Sequence, residues 1–292
     1  MPLVRAARRS KSMQKILISS MAVAALLAFS SSAFSQDPHD SHWKPCPQCQ
    51  SAKDKAAERA KTDKLQFDPH DLAGNWGDNQ NRIQLSAEVP PFTEYGKQLW
   101  DATQTDLTPD GKPISNSKDP MLRCDPLGFP RYFTYNYGFE LLPLKDRTIQ
   151  FFEMWHSWRT IYTDGRPLPT KPDPRWLGYS VGHWEGNTFV VESYGFDERT
   201  WLSENYHGNR DHGWPHSDEL RTVERYTRTA YNTMEVSLTI TDPKVYKGSW
   251  VTKGTFLNHP NTELWEDYCV PSDADYFNAN VLRPAAGKLD EK

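Results

Sequence analysis

Thr233-Met234-Glu235-Val236-Ser237-Leu238-Thr239-Ile240-Thr241 alternates polar and apolar residues without a break. Successive side chains of a strand point to opposite faces, so the stretch predicts a strand that turns Met234, Val236, Leu238 and Ile240 to a core. Glu235, Ser237, Thr239 and Thr241 then meet water. The preceding Ala230-Tyr231-Asn232 is a turn, and 220–229 reads as the strand it returns from.

Working outward, short β-like runs recur at 139–144, 148–154, 158–163, 178–185, 188–194, 250–257 and 264–269. Lys145-Asp146-Arg147, Thr163-Asp164-Gly165-Arg166 and Glu185-Gly186-Asn187 supply turn chemistry between them. Nine strands in sequence leave two exposed edges if the sheet stays open, so closure into an antiparallel up-and-down barrel is the economical fold, with a β-sandwich as the alternative. One helix is expected inside this mainly β domain, over 93–103, with Thr93 as its cap and Tyr95, Leu99 and Ala102 on one face. The opening Asp71-Leu72-Ala73-Gly74-Asn75-Trp76 resembles the Gly-x-Trp that begins lipocalin-like barrels, which implies an indole closing one end of the barrel.

The first residues have a different character. Arg5, Arg8, Arg9, Lys11 and Lys15 precede an apolar run over 16–29, and Ala33 and Ser35 fit a cleavage site before Gln36. That order is a secretory signal peptide over 1–35, too short in its apolar part for a bilayer that needs roughly 20 residues. Residues 36–70 then read as a tether with a short solvated helix at 51–64, and 71–292 as a single β domain. Without the signal, 29 Lys and Arg face 38 acids, a net charge of about −9. Nucleic acid and anionic membranes are excluded as partners by that balance, and no later stretch is apolar enough to cross a membrane. The expected location is periplasmic or secreted.

Cys46, Cys49, Cys124 and Cys269 therefore meet an oxidising compartment. Three pairings are open; Cys124–Cys269 is favoured because it ties the loop before the strands to the last of them. Cys46 and Cys49, in Cys-Pro-Gln-Cys behind His39 and His42, either form a local disulfide or hold a soft metal.

Six residues are candidates for acid–base chemistry. Glu153, His156 and Glu192 sit in otherwise apolar strands, where burial raises a carboxyl pKa toward neutrality. His216 and Asp218 introduce the strand 220–229, and Glu224 lies on its face with Thr222, Tyr226 and Arg228. The structural alternative is pairing with a cation, Glu153 with Arg159 or Arg225. His207, Asp211, His212 and His216 form a second set with metal-ligand chemistry, against the reading of a solvated loop. No cofactor is favoured, although a metal fits. Nucleotide loops, the Rossmann glycines, Gly-x-Ser-x-Gly and His-Glu-x-x-His are all missing from the sequence.

Trp184-Glu185-Gly186-Asn187-Thr188-Phe189-Val190-Val191-Glu192 resembles a motif shared by a large group of exported bacterial proteins of unknown function. Cys124-Asp125-Pro126-Leu127-Gly128-Phe129-Pro130-Arg131, His216-Ser217-Asp218-Glu219-Leu220 and Thr241-Asp242-Pro243 agree in order. The resemblance implies export and Cys124–Cys269 pairing but brings no activity. Where that group carries a His-Glu pair after its last cysteine, this chain has Val270-Pro271. Two functions are expected: an exported barrel that binds an apolar or aromatic small molecule, or a cofactor-independent isomerase, hydratase or lyase built on the six residues. Metal binding is a third.

Overall fold

Alternation becomes a curved sheet wherever one face finds a core. The computed structural model describes residues 52–77, 83–85, 89–106, 109–110, 118–205, 212–260 and 262–282, all within one compact unit, Pro45–Lys292. Residues 1–35, expected to be a signal peptide, and Cys46, Cys49, His207 and Asp211 lie outside the described residues. Nine strands form one sheet: β1 (Gly74–Trp76), β2 (Phe139–Pro143), β3 (Arg147–Phe152), β4 (Ser157–Tyr162), β5 (Tyr179–Glu185), β6 (Thr188–Tyr194), β9 (Arg221–Ala230), β10 (Thr233–Thr241) and β11 (Trp250–Leu257). Between β6 and β9 a small separate pair is made by β7 (Glu204–Asn205) and β8 (His212–Gly213).

The sheet curls until its ends meet. Trp76 bridges Asn258, Gly77 N–H donates to the Leu257 carbonyl (2.8 Å) and His259 N–H to the Asn75 carbonyl (2.8 Å). The expected mainly β, barrel-shaped fold is therefore present. One junction departs from simple hairpins: β4 and β5 pair in parallel over Ile161–Ser180 and Tyr162–Val181, because the connection through 163–178 crosses over instead of turning back.

β10 turns Met234, Val236, Leu238 and Ile240 inward, each at most 1% exposed. Trp76 is wholly buried, and its indole N–H closes on the Leu72 carbonyl (2.9 Å). Gly186, at φ +57 in the β5–β6 turn, takes the left-handed conformation that a tight hairpin needs. The interior is not hollow. Phe129 and Phe133, from the segment before β2, enter it, and Phe133 meets Phe139 at 5.3 Å, Phe256 at 5.5 Å and Tyr226 at 6.3 Å, side chains of three different strands. Rings fill the space and contribute edge and tilted contacts of about 0.5–1.5 kcal/mol per pair beyond area burial.

Helix α1 (Ala52–Thr62) appears where a short helix was expected, and the tether after it docks: His70 reaches the Gly186 carbonyl at 2.9 Å and stands edge-on to Trp184. Helix α2 (Glu94–Thr103) is capped by Thr93, whose Oγ1 accepts from Gly96 N–H at 3.0 Å. The expected strand at 264–269 does not form. That segment runs without a partner strand, held by the Cys124–Cys269 disulfide and by Trp265 N–H donating to Glu153 Oε1 (3.0 Å), and passes into helix α3 (Pro271–Phe277). No described helix is long and apolar enough to span a membrane.

Candidate functional site

The barrel interior carries a charged network. Arg159 on β4 donates to Gln150 Oε1 (2.8 Å), to Glu224 Oε1 (2.9 Å) and to Glu224 Oε2, while its guanidinium lies over Phe129 at 3.8 Å. Tyr226 OH donates to the same Glu224 carboxylate, and Ser193 stands between Glu224 and Ser180. All of these groups are buried, and burial lifts the Tyr226 phenol well above its ordinary pKa. The sequence-level pairing of Glu153 with Arg159 or Arg225 is thus corrected: Arg159 belongs to Glu224, and Arg225 reaches Glu185 (2.7 Å) on the outer face. Register decides this, since β3 and β4 put Gln150 opposite Arg159 and β6 puts Val191 opposite Glu224.

Glu153 and His156 do converge, at the turn between β3 and β4. Glu153 is fully buried and accepts from Gly138 N–H (2.9 Å) and Trp265 N–H (3.0 Å); burial pushes its carboxyl pKa up, with Asp267 adding to the rise and His156 opposing it. The His156 ring stacks on Tyr268 at 4.6 Å. Among the described residues, His156 Nδ1 and Asp267 Oδ2 are both buried without a hydrogen-bond partner. Trp155 and His156 stand at φ 58 and φ 47, an uncommon conformation for non-glycine residues. Asp267 was not among the sequence candidates; it sits in a segment whose reading as a strand hid it.

His216 and Asp218 lead to two neighbouring concavities, His216 lining one and Asp218 the other. They lie at the end of the barrel where β6 and β10 finish and β9 and β11 begin. Helix α2 is pressed onto the turn between β10 and β11 so closely that a Cβ on Gly96 would come within 2.1 Å of the Val245 carbonyl. Asp242, in that turn, accepts from Ser217 N–H (2.6 Å) and Ser217 Oγ (2.8 Å), and Tyr246 OH donates to the Pro215 carbonyl (2.8 Å), which fixes the segment entering β9. Between these supports opens a cleft of about 400 Å³. Tyr95, Leu99 and Ala102, the helix face expected from the sequence, form one wall; Pro120, Arg123, Trp201 and His216 stand among the others. A neighbouring depression of about 570 Å³ shares Tyr95, Glu198 and Arg199 and adds Asp218 and Lys244, which pair at 2.6 Å. A third groove of about 320 Å³, along the outer side of β9 to β11, has no aromatic lining.

His216 is 1% exposed, with Nε2 against Thr200 Oγ1 (2.7 Å) and Nδ1 against the Ser217 carbonyl (3.1 Å). Burial lowers its pKa, so the neutral ring is favoured. Both ring nitrogens are engaged within the protein. His212 falls in β8 with its side chain outside the described atoms, and no group of three ligands able to hold a metal occurs among the described residues. Glu192 is exposed on the outer face of β6.

Behind Trp201 lies a second buried cation that sequence reading missed. Arg131 is wholly buried, donates twice to Asp119, reaches Glu204 at 3.4 Å and lies over the Trp201 ring at 5.3 Å. Tyr135 OH joins Arg131 (2.9 Å) to Glu204. Burial opposes the charge on Arg131, but the Asp119 hydrogen bonds and charge outweigh it and the guanidinium stays firmly protonated. Nothing local announces this cluster, because Arg131 and Glu204 are 73 residues apart.

No protein-family profile, curated protein or solved structure matches the chain.

Proposed function

We propose that this chain is an exported small-molecule-binding β-barrel protein that takes an apolar or aromatic ligand in the cleft beside Trp201, not in the barrel interior. The carrying observation is the cleft itself: about 400 Å³, walled by Tyr95, Leu99 and Trp201 and floored by a fixed layer of polar groups around His216. A mostly apolar concavity with few placed polar groups is the usual form of a small-molecule site. The interior does not compete for this role, since Phe129 and Phe133 already occupy it. Export is supported by the charged and apolar start of the chain and agrees with the Cys124–Cys269 disulfide. The resemblance to exported bacterial proteins points the same way.

Native mass spectrometry of protein purified gently from the exporting host should find a bound small molecule that Trp201→Ala loses. Protein that is ligand-free and takes up no apolar compound saturably sinks the proposal.

The convergence of Glu153, His156 and Asp267 favours one other reading, a cofactor-independent enzyme that moves a proton on a small carbonyl compound. Deuterium exchange from solvent into small ketones, fast with the native chain and lost in His156→Ala, is its signature. Equal exchange with and without His156 removes it.

A further inference from the structure

We infer that the cleft selects an anion: a ligand with a flat apolar body and a carboxylate, sulfonate or similar oxyanion head, bound by Arg123 with Lys118 beside it. The inference rests on the cleft being the ligand site proposed above.

The argument begins with what each cation of the cleft has left to offer. Arg199 is committed, with hydrogen bonds of 2.9 and 2.6 Å to Asp197 and its guanidinium over Trp176 at 4.2 Å. Arg131, one layer below, is committed to Asp119 and Glu204. Arg123 differs from both. Its side chain is 61% exposed, its nearest carboxylate is Asp125 at 3.7 Å, beyond hydrogen-bond distance, and among the described residues no hydrogen bond engages it. A guanidinium in that state retains its planar fork of donors, the geometry that binds a carboxylate or sulfonate through two parallel hydrogen bonds. Among the described residues Lys118, five residues earlier on the same segment, makes one 3.2 Å contact, with Asp106, and an ammonium has three donors in all.

The backbone carrying Arg123 is fixed in advance. Arg123 ends a 3-10 turn, Pro120–Arg123, capped by Asp119 Oδ1 accepting from Met121 N–H (3.0 Å). Cys124 follows in the left-handed conformation (φ 60) and is tied to Cys269. Asn278 Nδ2 donates to the Leu122 carbonyl at 3.2 Å. Binding then costs side-chain entropy at Arg123 but little backbone ordering. The apolar body is met by Tyr95, Leu99 and Trp201. Glu198, from the loop that carries Arg199, is an exposed carboxylate on the cleft wall and disfavours an anion there, so the head group is directed to the Lys118–Arg123 segment.

Two dyes of similar shape test the charge alone: anilinonaphthalene sulfonate, an anion, and N-phenylnaphthylamine, which is neutral. Titrated by fluorescence into the oxidised full chain, the sulfonate should bind about tenfold tighter at low salt, in line with a charge-assisted pair. That advantage should shrink as salt is added while the neutral dye stays put. Arg123→Gln should abolish the advantage and leave the neutral dye unchanged, Glu198→Gln should enlarge it, and Trp201→Leu should weaken both dyes. If both dyes bind equally and without salt dependence, the anion inference is overturned while the cleft survives as an apolar site. If neither binds saturably, the cleft itself is refuted as the ligand site.

Discussion

Arg159 and Arg131 are built alike and used differently. Each is a buried guanidinium clamped by a carboxylate, joined by a tyrosine hydroxyl and laid over an aromatic ring. Around Arg159 the seal is complete: Glu224 is 0% exposed and Phe129 covers the guanidinium. Around Arg131 the seal is partial: Asp119 is 8% exposed, but Glu204 retains 20% of its side-chain surface, and Trp201, which covers the guanidinium, lines an open cleft. The same interaction is sealed inside the barrel in one place and lies behind a cleft-lining tryptophan in the other. What differs is the layer of side chains on top.

Mutating the two cations is the strongest way to break that comparison. Arg159→Met leaves the buried Glu224 without its cation, held only by the Tyr226 and Ser193 hydroxyls, and urea unfolding should show a loss of about 3–5 kcal/mol. Adding Glu224→Leu should recover most of it, because an apolar pair of similar volume avoids the desolvation penalty. Arg131→Met should cost less, since Glu204 can turn to water and Asp119, although 8% exposed, keeps its hydrogen bond from Met121 N–H. If the Arg131 variant is the less stable of the two, the distinction between sealed and open networks fails.

A pH experiment sharpens the same contrast at the cleft floor. His216 titrates below its ordinary value because it is buried, so the unfolded chain takes up a proton first as pH falls. Its contribution to stability is therefore present above about pH 6.5, the unfolded value, and is lost as pH falls below that, with a slope of at most about 1.4 kcal/mol per pH unit. Unfolding midpoints followed from pH 7.5 to 5.5 should show this slope in the native chain and a flatter one in His216→Gln. A variant with an undiminished slope would place the titration elsewhere.

The smallest effect is expected at Asp218. Its partner Lys244 and the carboxylate itself are both well exposed, and exposed pairs contribute little once solvent screens them. Asp218→Asn should leave the unfolding midpoint within experimental error. A clear loss of stability would mean that Asp218 belongs to the buried support of the cleft alongside Asp242.

Much of this was legible in the chain. The alternation in 233–241, the run at 188–194 and the run at 250–257 reproduce β10, β6 and β11 to the residue, because a half-buried strand records its two faces in sequence. The α2 cap at Thr93 and the helix face of Tyr95, Leu99 and Ala102 were equally plain. The segment 264–269 misled: it has the composition of a strand, but what holds it is a disulfide and one buried carboxylate, neither of which leaves a periodic trace. Arg131, Asp119 and Glu204 gave no signal either, since their meeting requires two 3-10 turns and strand β7 to pack together.

The sequence by itself determined which faces of β10 meet core and water, where helix α2 is capped, and how acidic residues 36–292 are, and it favoured Cys124–Cys269 among three pairings. These follow from local periodicity and composition, which act over a few residues or on the chain as a whole. Only the tertiary structure decided that Arg159 takes Glu224 and not Glu153, that Phe129 and Phe133 fill the barrel, and that His216, Trp201 and Arg123 share one cleft. Those outcomes depend on strand register and loop packing between residues 65 or more positions apart in the case of Arg159 and Glu224, and a single-residue slip in register would reverse every one of the faces involved.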